Sequence, residues 1–68
     1  MIMLIDDGYQ QHEVITVGYD DDYLHKQPGI ATKNGWCSLG YYVTQYAGYE
    51  TNTELTAYCK LHYPEYFI

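Results

Sequence analysis

A run of three aspartates at residues 20–22 is the feature of the sequence with the most specific chemical potential. Consecutive carboxylates could bind a hard cation, because calcium prefers oxygen ligands. A calcium loop of the EF-hand type also needs glycine at its sixth position and a bidentate glutamate at its twelfth. Counted from Asp20, those positions hold His25 and Ala31. The sequence therefore does not predict a calcium site.

Histidine and cysteine side chains offer a second kind of metal site. Structural zinc sites usually combine two close pairs of such ligands. Cys59 and His62 form one pair, at a spacing that places both on one helical face. The candidates for a second pair, His25 and Cys37, are twelve residues apart, and His12 has no close companion. The sequence predicts neither a metal nor another cofactor.

Catalysis by these residues is not predicted either. A Cys–His nucleophile needs a third group that orients the base and a cleft that holds the substrate. Solvated carboxylates keep ordinary pKa values and make poor acids near neutral pH. The sequence shows no phosphate-binding glycine loop and no serine-centred motif. We therefore predict that the protein is not an enzyme.

The charge of the chain favours a protein partner. Its 68 residues include nine acids, three lysines and no arginine, for a formal net charge of −6. Such a surface is repelled by nucleic acid phosphates and anionic membranes, so we predict a basic protein partner. Alternate residues of an extended chain lie about 6.6 Å apart on one face, a spacing comparable to that of successive phosphates. The predicted acidic face consists of Asp6, Asp7, Glu13, Asp20, Asp21 and Asp22.

The aromatic residues are dominated by ten tyrosines. So many rings do not all fit in the core of a small domain, and half-exposed tyrosines are common at binding surfaces. Tyr19 and Tyr23 flank the aspartate run and are predicted to add contact area and to stack on arginine side chains of the partner. The alternative hypothesis is a structural or regulatory module that self-associates, for example as a homodimer. The patch predicted for this alternative is Tyr41, Tyr42, Tyr46 and Tyr49.

The elements that must position these residues begin with a β-hairpin. An Asp-Asp-Gly turn at residues 6–8 separates two apolar runs, and glycine accepts the positive φ that tight turns require. Pro28 and Gly29 are typical of the centre of a type II turn, with a short third strand predicted at 30–32. In the second strand, the period of two predicts Glu13, Ile15 and Val17 on one face, and His12, Val14 and Thr16 on the other.

The segment 36–47 is open to two interpretations. Trp36, Leu39 and Val43 fit one face of a helix that Gly48 would end. The same segment also alternates as a strand would, and the preceding Lys-Asn-Gly would then belong to the turn of a second hairpin. We favour the helix.

The C-terminal part of the chain predicts a helix over about 52–62. Thr51 and Glu54 match a capping box, in which each side chain bonds a free amide of the first turn. Pro64 marks the end of the helix. The face predicted to be shared by its larger side chains consists of Leu55, Tyr58, Cys59 and His62.

Together these elements predict a single α+β domain over residues 1–68. It combines an N-terminal antiparallel β-hairpin, or small three-stranded sheet, with one or two C-terminal helices packed on it. The five apolar residues at the start are too few for a signal peptide, so we expect a cytoplasmic protein with reduced thiols. A Cys37–Cys59 disulfide is the less favoured alternative. The predicted core consists of Ile2, Leu4, Val14 or Ile15, Trp36, Leu39, Val43, Leu55, Tyr58 and Cys59.

In length, acidity and lack of a catalytic signature, the chain resembles many small proteins of phages and mobile elements. Among these are DNA-mimicking inhibitors of restriction or CRISPR nucleases. The resemblance rests on size and charge. It implies an anti-restriction or anti-CRISPR inhibitor that acts in the host cytoplasm by occupying a basic groove that normally holds DNA or RNA.

Overall fold

The computed structural model describes residues 2–19 and 26–68 and shows an α+β domain. Within these residues, four antiparallel strands form one sheet in the order β1-β2-β3-β4, and two helices follow. The predicted fold class is confirmed, with one strand more than expected. The elements are β1 (Leu4–Asp6), β2 (Gln11–Tyr19), β3 (Pro28–Thr32), β4 (Gly35–Ser38), α1 (Leu39–Gln45) and α2 (Thr53–His62), with 3₁₀ helices at Glu50–Asn52 and Pro64–Tyr66.

The predicted N-terminal hairpin is present. β1 pairs with β2 from Leu4 opposite Glu13 to Asp6 opposite Gln11. The glycine of the predicted turn, Gly8, has a φ of 87°. Residues with a Cβ rarely adopt this left-handed conformation, so glycine has a backbone role here.

A second hairpin joins β3 to β4, with Thr32 opposite Gly35 across its turn. The predicted third strand is confirmed, but it begins earlier than expected. Pro28 and Gly29 belong to this strand, so the type II turn predicted for them was wrong. Packing requires the glycine, because a Cβ at Gly29 would overlap the indole ring of Trp36.

The ambiguous segment 36–47 contains both a strand and a helix, so the single helix that we favoured was wrong. Its first residues complete β4, and the chain enters α1 after Ser38. The Ser38 hydroxyl accepts a hydrogen bond from the amide of Tyr41 at 3.2 Å, which satisfies one of the amides that lack a partner within the helix. The helix ends at Gln45, before the predicted stop at Gly48.

The second helix, α2, occupies the predicted segment and ends before Pro64, as expected. The predicted capping box was wrong. The hydroxyl of Thr51 donates to the Asp6 carboxylate at 3.0 Å, and the 3₁₀ helix Glu50–Asn52 leads into α2. The Thr51 side chain therefore contacts β1 instead of capping α2.

The core lies between the helices and one face of the sheet. The predictions of Leu39, Leu55 and Cys59 as core residues are confirmed. Val43, also predicted, is partly buried and packs against this cluster. The buried hydrophobic residues are Ile5, Ile30, Leu39, Tyr42, Leu55 and Cys59.

Part of the predicted core is exposed to solvent. Ile2 is 64% exposed and Leu4 is 37% exposed. Leu4 points away from the helices because successive side chains of a strand alternate between faces, and its neighbour Ile5 is buried. Tyr58 is also 37% exposed, and His62 is exposed. The assignments of Ile2, Leu4 and Tyr58 to the core were wrong.

A β-bulge in β2 determines which of Val14 and Ile15 packs against the core. The register of β2 against β3 shifts between Val14 and Thr16, which leaves Ile15 as an extra residue. A bulge interrupts the alternation of side chains. Val14 and Val17 consequently both pack against the core, whereas Ile15 is 61% exposed. The strict period of two predicted for this strand was therefore wrong.

Candidate functional site

A surface cleft lies where the two hairpins meet α1. Its volume is about 430 Å³, and ligand sites in proteins commonly measure about 300–1,000 Å³. The cleft has an apolar part from the sheet and a polar rim from the first hairpin and α1. Its lining includes Asp7, His12, Trp36, Cys37, Tyr41 and Tyr46.

An Asp–His pair forms one wall of the cleft. Asp7 Oδ2 lies 2.8 Å from His12 Nε2, and Asp7 Oδ1 accepts the amides of Tyr9 and Gln10 at 2.9 and 3.0 Å. The hydrogen bonds from Gln10, Tyr9 and His12 lower the pKa of Asp7 from 3.8 to about 2. The carboxylate is therefore ionised at neutral pH. Because an ionised carboxylate only accepts hydrogen bonds, His12 Nε2 carries the shared proton.

Three tyrosines extend the site along α1 and the segment after it. The rings of Tyr41 and Tyr46 meet edge-to-face, with centroids 5.6 Å apart and planes at 74°. Tyr46 and Tyr49 repeat this arrangement at 5.8 Å and 81°. A hydrogen bond to Tyr41 raises the pKa of Tyr46 to about 12, and burial and the negative charge of Asp7 add to the increase. Tyr46 is thus neutral at physiological pH and lies within the field of Asp7.

A buried amide holds the first hairpin against this segment. Asn52 is fully buried, and its Oδ1 accepts the amide of Asp6 at 2.7 Å. Its Nδ2 donates to the carbonyls of Asp6 and Tyr46 at 3.1 and 2.9 Å. Two of these bonds pair the backbone groups of Asp6 at the outer edge of β1, where such groups would otherwise have no partner. Asn52 thereby fixes the position of the hairpin relative to Tyr46.

The potential nucleophiles in the cleft are engaged or unreactive. The Thr32 hydroxyl donates to the carbonyl of Gly35 at 3.2 Å, and the Ser38 hydroxyl caps α1. Burial raises the pKa of the Cys37 thiol and so lowers the fraction of the reactive thiolate. The Asp–His pair is similar to the base and orienting acid of nucleophilic hydrolases, but these three groups do not supply an activated nucleophile.

The acids predicted to form one face lie in different places. Asp7 lines the cleft, whereas the Asp6 carboxylate is used within the fold, where it accepts from the amide of Gly8 at 2.9 Å and the hydroxyl of Thr51 at 3.0 Å. Glu13 is exposed and follows His12 in the strand, so it points to the sheet face opposite the cleft. The structure does not bring Glu13 together with Asp7.

The far end of β2 carries the second part of the predicted surface. The strand extends about 26 Å from its first residue to Tyr19, at 3.3 Å per residue. Tyr19 is 62% exposed, and its ring lies edge-on to that of Tyr63 at 6.4 Å. The aspartates at 20–22 and Tyr23 lie outside the described residues, so their predicted role stays a prediction.

The predicted self-association patch is only partly at the surface. Tyr42 is fully buried, with its hydroxyl 2.5 Å from that of Thr56, and its assignment to a surface patch was wrong. Tyr41 and Tyr49 are 51% and 39% exposed. One residue of the predicted acidic face, Asp7, therefore shares the cleft with Tyr41 and Tyr46, which the sequence assigned to the rival hypothesis. No local pattern indicated this, because the residues are more than 30 positions apart in the chain.

Three further observations on the described residues concern metal ligands, thiols and membrane-spanning helices. Within residues 2–19 and 26–68, no three His, Cys, Asp or Glu side chains are placed to hold a metal ion. Cys37 and Cys59 are free thiols, half-buried and buried respectively. No helix in this part of the chain is long and apolar enough to cross a membrane.

No protein-family model matches the chain, and comparisons with curated proteins and with solved structures gave no significant match.

Proposed function

We propose that the protein is a non-enzymatic interaction module that binds a basic region of another protein. The observation that carries the proposal is the convergence of the Asp7 carboxylate with the rings of Tyr41 and Tyr46 around one cleft. An ionised carboxylate attracts a cation, and aromatic faces add to the attraction. The net charge of −6 gives the whole molecule the same preference.

The aspartates at 20–22 are proposed to contribute from the periphery of the contact. Charges at the rim of an interface act mainly on the association rate, and salt screens them. A basic protein region that receives this module would be blocked for nucleic acid. Such inhibition is the role suggested by the likeness to small phage inhibitors.

Binding of a fluorescent peptide with equal numbers of lysines and arginines tests the proposal. Fluorescence anisotropy at low and moderate salt should show binding that weakens as salt rises. Asp7→Asn removes the charge but keeps an oxygen for the loop amides, and should weaken binding by up to about five-fold, the size of the contribution of an exposed ion pair. Replacement of all three aspartates at 20–22 by asparagine tests whether their charges contribute to binding.

The matched control is Glu65→Gln, which removes one negative charge from the 3₁₀ helix Pro64–Tyr66, outside the cleft lining. Equal binding by the Asp7→Asn and Glu65→Gln variants at both salt concentrations would exclude the cleft as the binding site. Sedimentation velocity tests the rival hypothesis: a dimer that Tyr41→Ala or Tyr49→Ala dissociates would favour self-association.

A further inference from the structure

We infer that the cation received by the cleft is an ammonium group, the side chain of a lysine on the partner, and not the guanidinium of an arginine. This inference rests on the proposed function and names the ligand of the same cleft. Three features of the cleft carry it: the occupancy of the Asp7 carboxylate, the angle between two tyrosine rings, and the apolar part of the lining.

The Asp7 carboxylate has little capacity left for directional bonds. An ionised carboxylate offers about four acceptor sites, and three are used within the chain. Oδ1 takes the amides of Tyr9 and Gln10, and Oδ2 takes His12 Nε2. A bidentate arginine needs an open site on each oxygen, and Oδ1 has none. An ammonium is a compact point charge that needs only one open site and the net negative charge.

The two tyrosine rings favour the same ligand. Because the planes of Tyr41 and Tyr46 meet at 74°, they form two walls of a corner. A compact ammonium can lie within about 6 Å of both ring centroids, whereas a flat guanidinium stacks on one ring at a time. The chain contains the same type of contact elsewhere, with Lys60 Nζ 5.7 Å from the centroid of the Phe67 ring.

The apolar part of the lining suits the stem of a lysine. Ile5, Ile30 and Cys37 contribute to it, next to the charged wall at Asp7. A lysine buries its four-carbon stem along apolar surface and keeps its charged end in a polar environment. The cleft therefore offers an apolar surface for the stem and a negative, aromatic corner for the head.

Titration with small cations, followed by NMR, tests the inference directly. n-Butylammonium stands for the lysine side chain, n-propylguanidinium for that of arginine, and n-butanol for the uncharged stem. We expect n-butylammonium to shift the ring resonances of His12, Tyr41 and Tyr46 and to bind about two- to five-fold more tightly than n-propylguanidinium, the effect of one cation–π contact. Equal or tighter binding of n-propylguanidinium would overturn the inference.

A pair of variants at Tyr41 tests how much its aromatic ring contributes to binding. Tyr41 is 51% exposed, so its replacement leaves the core intact. Tyr41→Leu should weaken n-butylammonium binding about two- to five-fold, whereas Tyr41→Phe keeps the ring and should bind within a factor of about two of the parent. If both variants bind like the parent, Tyr41 does not contact the cation and the corner is not the site.

Two peptides separate this inference from the function on which it rests. One contains only lysine as its basic residue and the other only arginine, at equal length and charge. Stronger binding of the lysine peptide, reversed by n-butylammonium, supports the inference. Equal or stronger binding of the arginine peptide overturns the ammonium assignment and leaves the proposed function standing. If neither peptide binds, both are wrong.

Discussion

Two polar side chains hold the first hairpin, and they differ in charge and in burial. The Asn52 amide is fully buried and bonds the backbone of Asp6 and Tyr46. The Asp7 carboxylate is 28% exposed and bonds the amides of its own loop and the His12 ring. A neutral amide whose hydrogen-bonding groups are all satisfied can be buried at little cost, whereas a buried charge needs a partner.

The comparison indicates a division of roles. Both hydrogens and the oxygen of Asn52 are used within the chain, so this side chain can stabilise the fold but can bind nothing else. Asp7 keeps its charge at neutral pH and faces the cleft, so it can still attract a ligand. We expect changes at Asn52 to alter mainly the stability, and changes at Asp7 to alter binding and the pH dependence of stability. Three predictions test this division.

The largest loss of stability is expected for Asn52→Leu. The change leaves the amide and carbonyl of Asp6 without their Asn52 partner and removes one of the two hydrogen bonds to the carbonyl of Tyr46, which still accepts the amide of Tyr49. Each buried group left unsatisfied costs about 1–3 kcal/mol, so the free energy of unfolding should fall by about 2 kcal/mol or more. Urea unfolding followed by circular dichroism measures this. Gln45→Ala, at an exposed position of α1, should stay within about 0.5 kcal/mol of the parent; similar losses in both variants would contradict the role of Asn52.

A smaller loss of stability is expected for Gly8→Ala, in the loop that joins β1 to β2. The φ of 87° is strained for alanine, and the new Cβ would lie 3.1 Å from the Tyr49 hydroxyl. A loss of roughly 1–2 kcal/mol is expected from the left-handed backbone. Gly48→Ala is the matched control, because a Cβ there meets no atom within 4 Å. It should be neutral or stabilising by about 0.4–1 kcal/mol, and a larger loss at Gly48 than at Gly8 would reject the argument.

The smallest effect concerns the pH dependence of stability. Because folding lowers the pKa of Asp7 from 3.8 to about 2, its contribution is present above about pH 4 and is lost as the pH falls towards 2. Asp7→Asn removes this titration, so the stability of the variant should fall less steeply over that range. Chemical denaturation at pH 5, 3 and 2.5 compares the two slopes. Parallel slopes would show that Asp7 does not have a lowered pKa in the folded chain.

Local sequence patterns were enough to predict the elements that depend on near neighbours. Glycine after two aspartates predicted the first hairpin, because few other residues accept its positive φ. Helical spacing and Pro64 predicted α2, and the order of strands and helices predicted the α+β class. The excess of acids predicted the sign of the charge. Each of these follows from backbone preferences or composition, which neighbouring residues express without the rest of the fold.

Which side chains meet depends on contacts between distant parts of the chain. Thr51 matches a local capping pattern, but its hydroxyl bonds Asp6, 45 residues away. The bulge at Ile15 reversed the faces of β2, because pairing with β3 overrides the period of two. Asp7 shares a cleft with Tyr41 and Tyr46 because Asn52 bonds both Asp6 and the residue that follows α1. Local patterns do not encode such contacts, since their free energy comes from groups that meet only once the chain has folded.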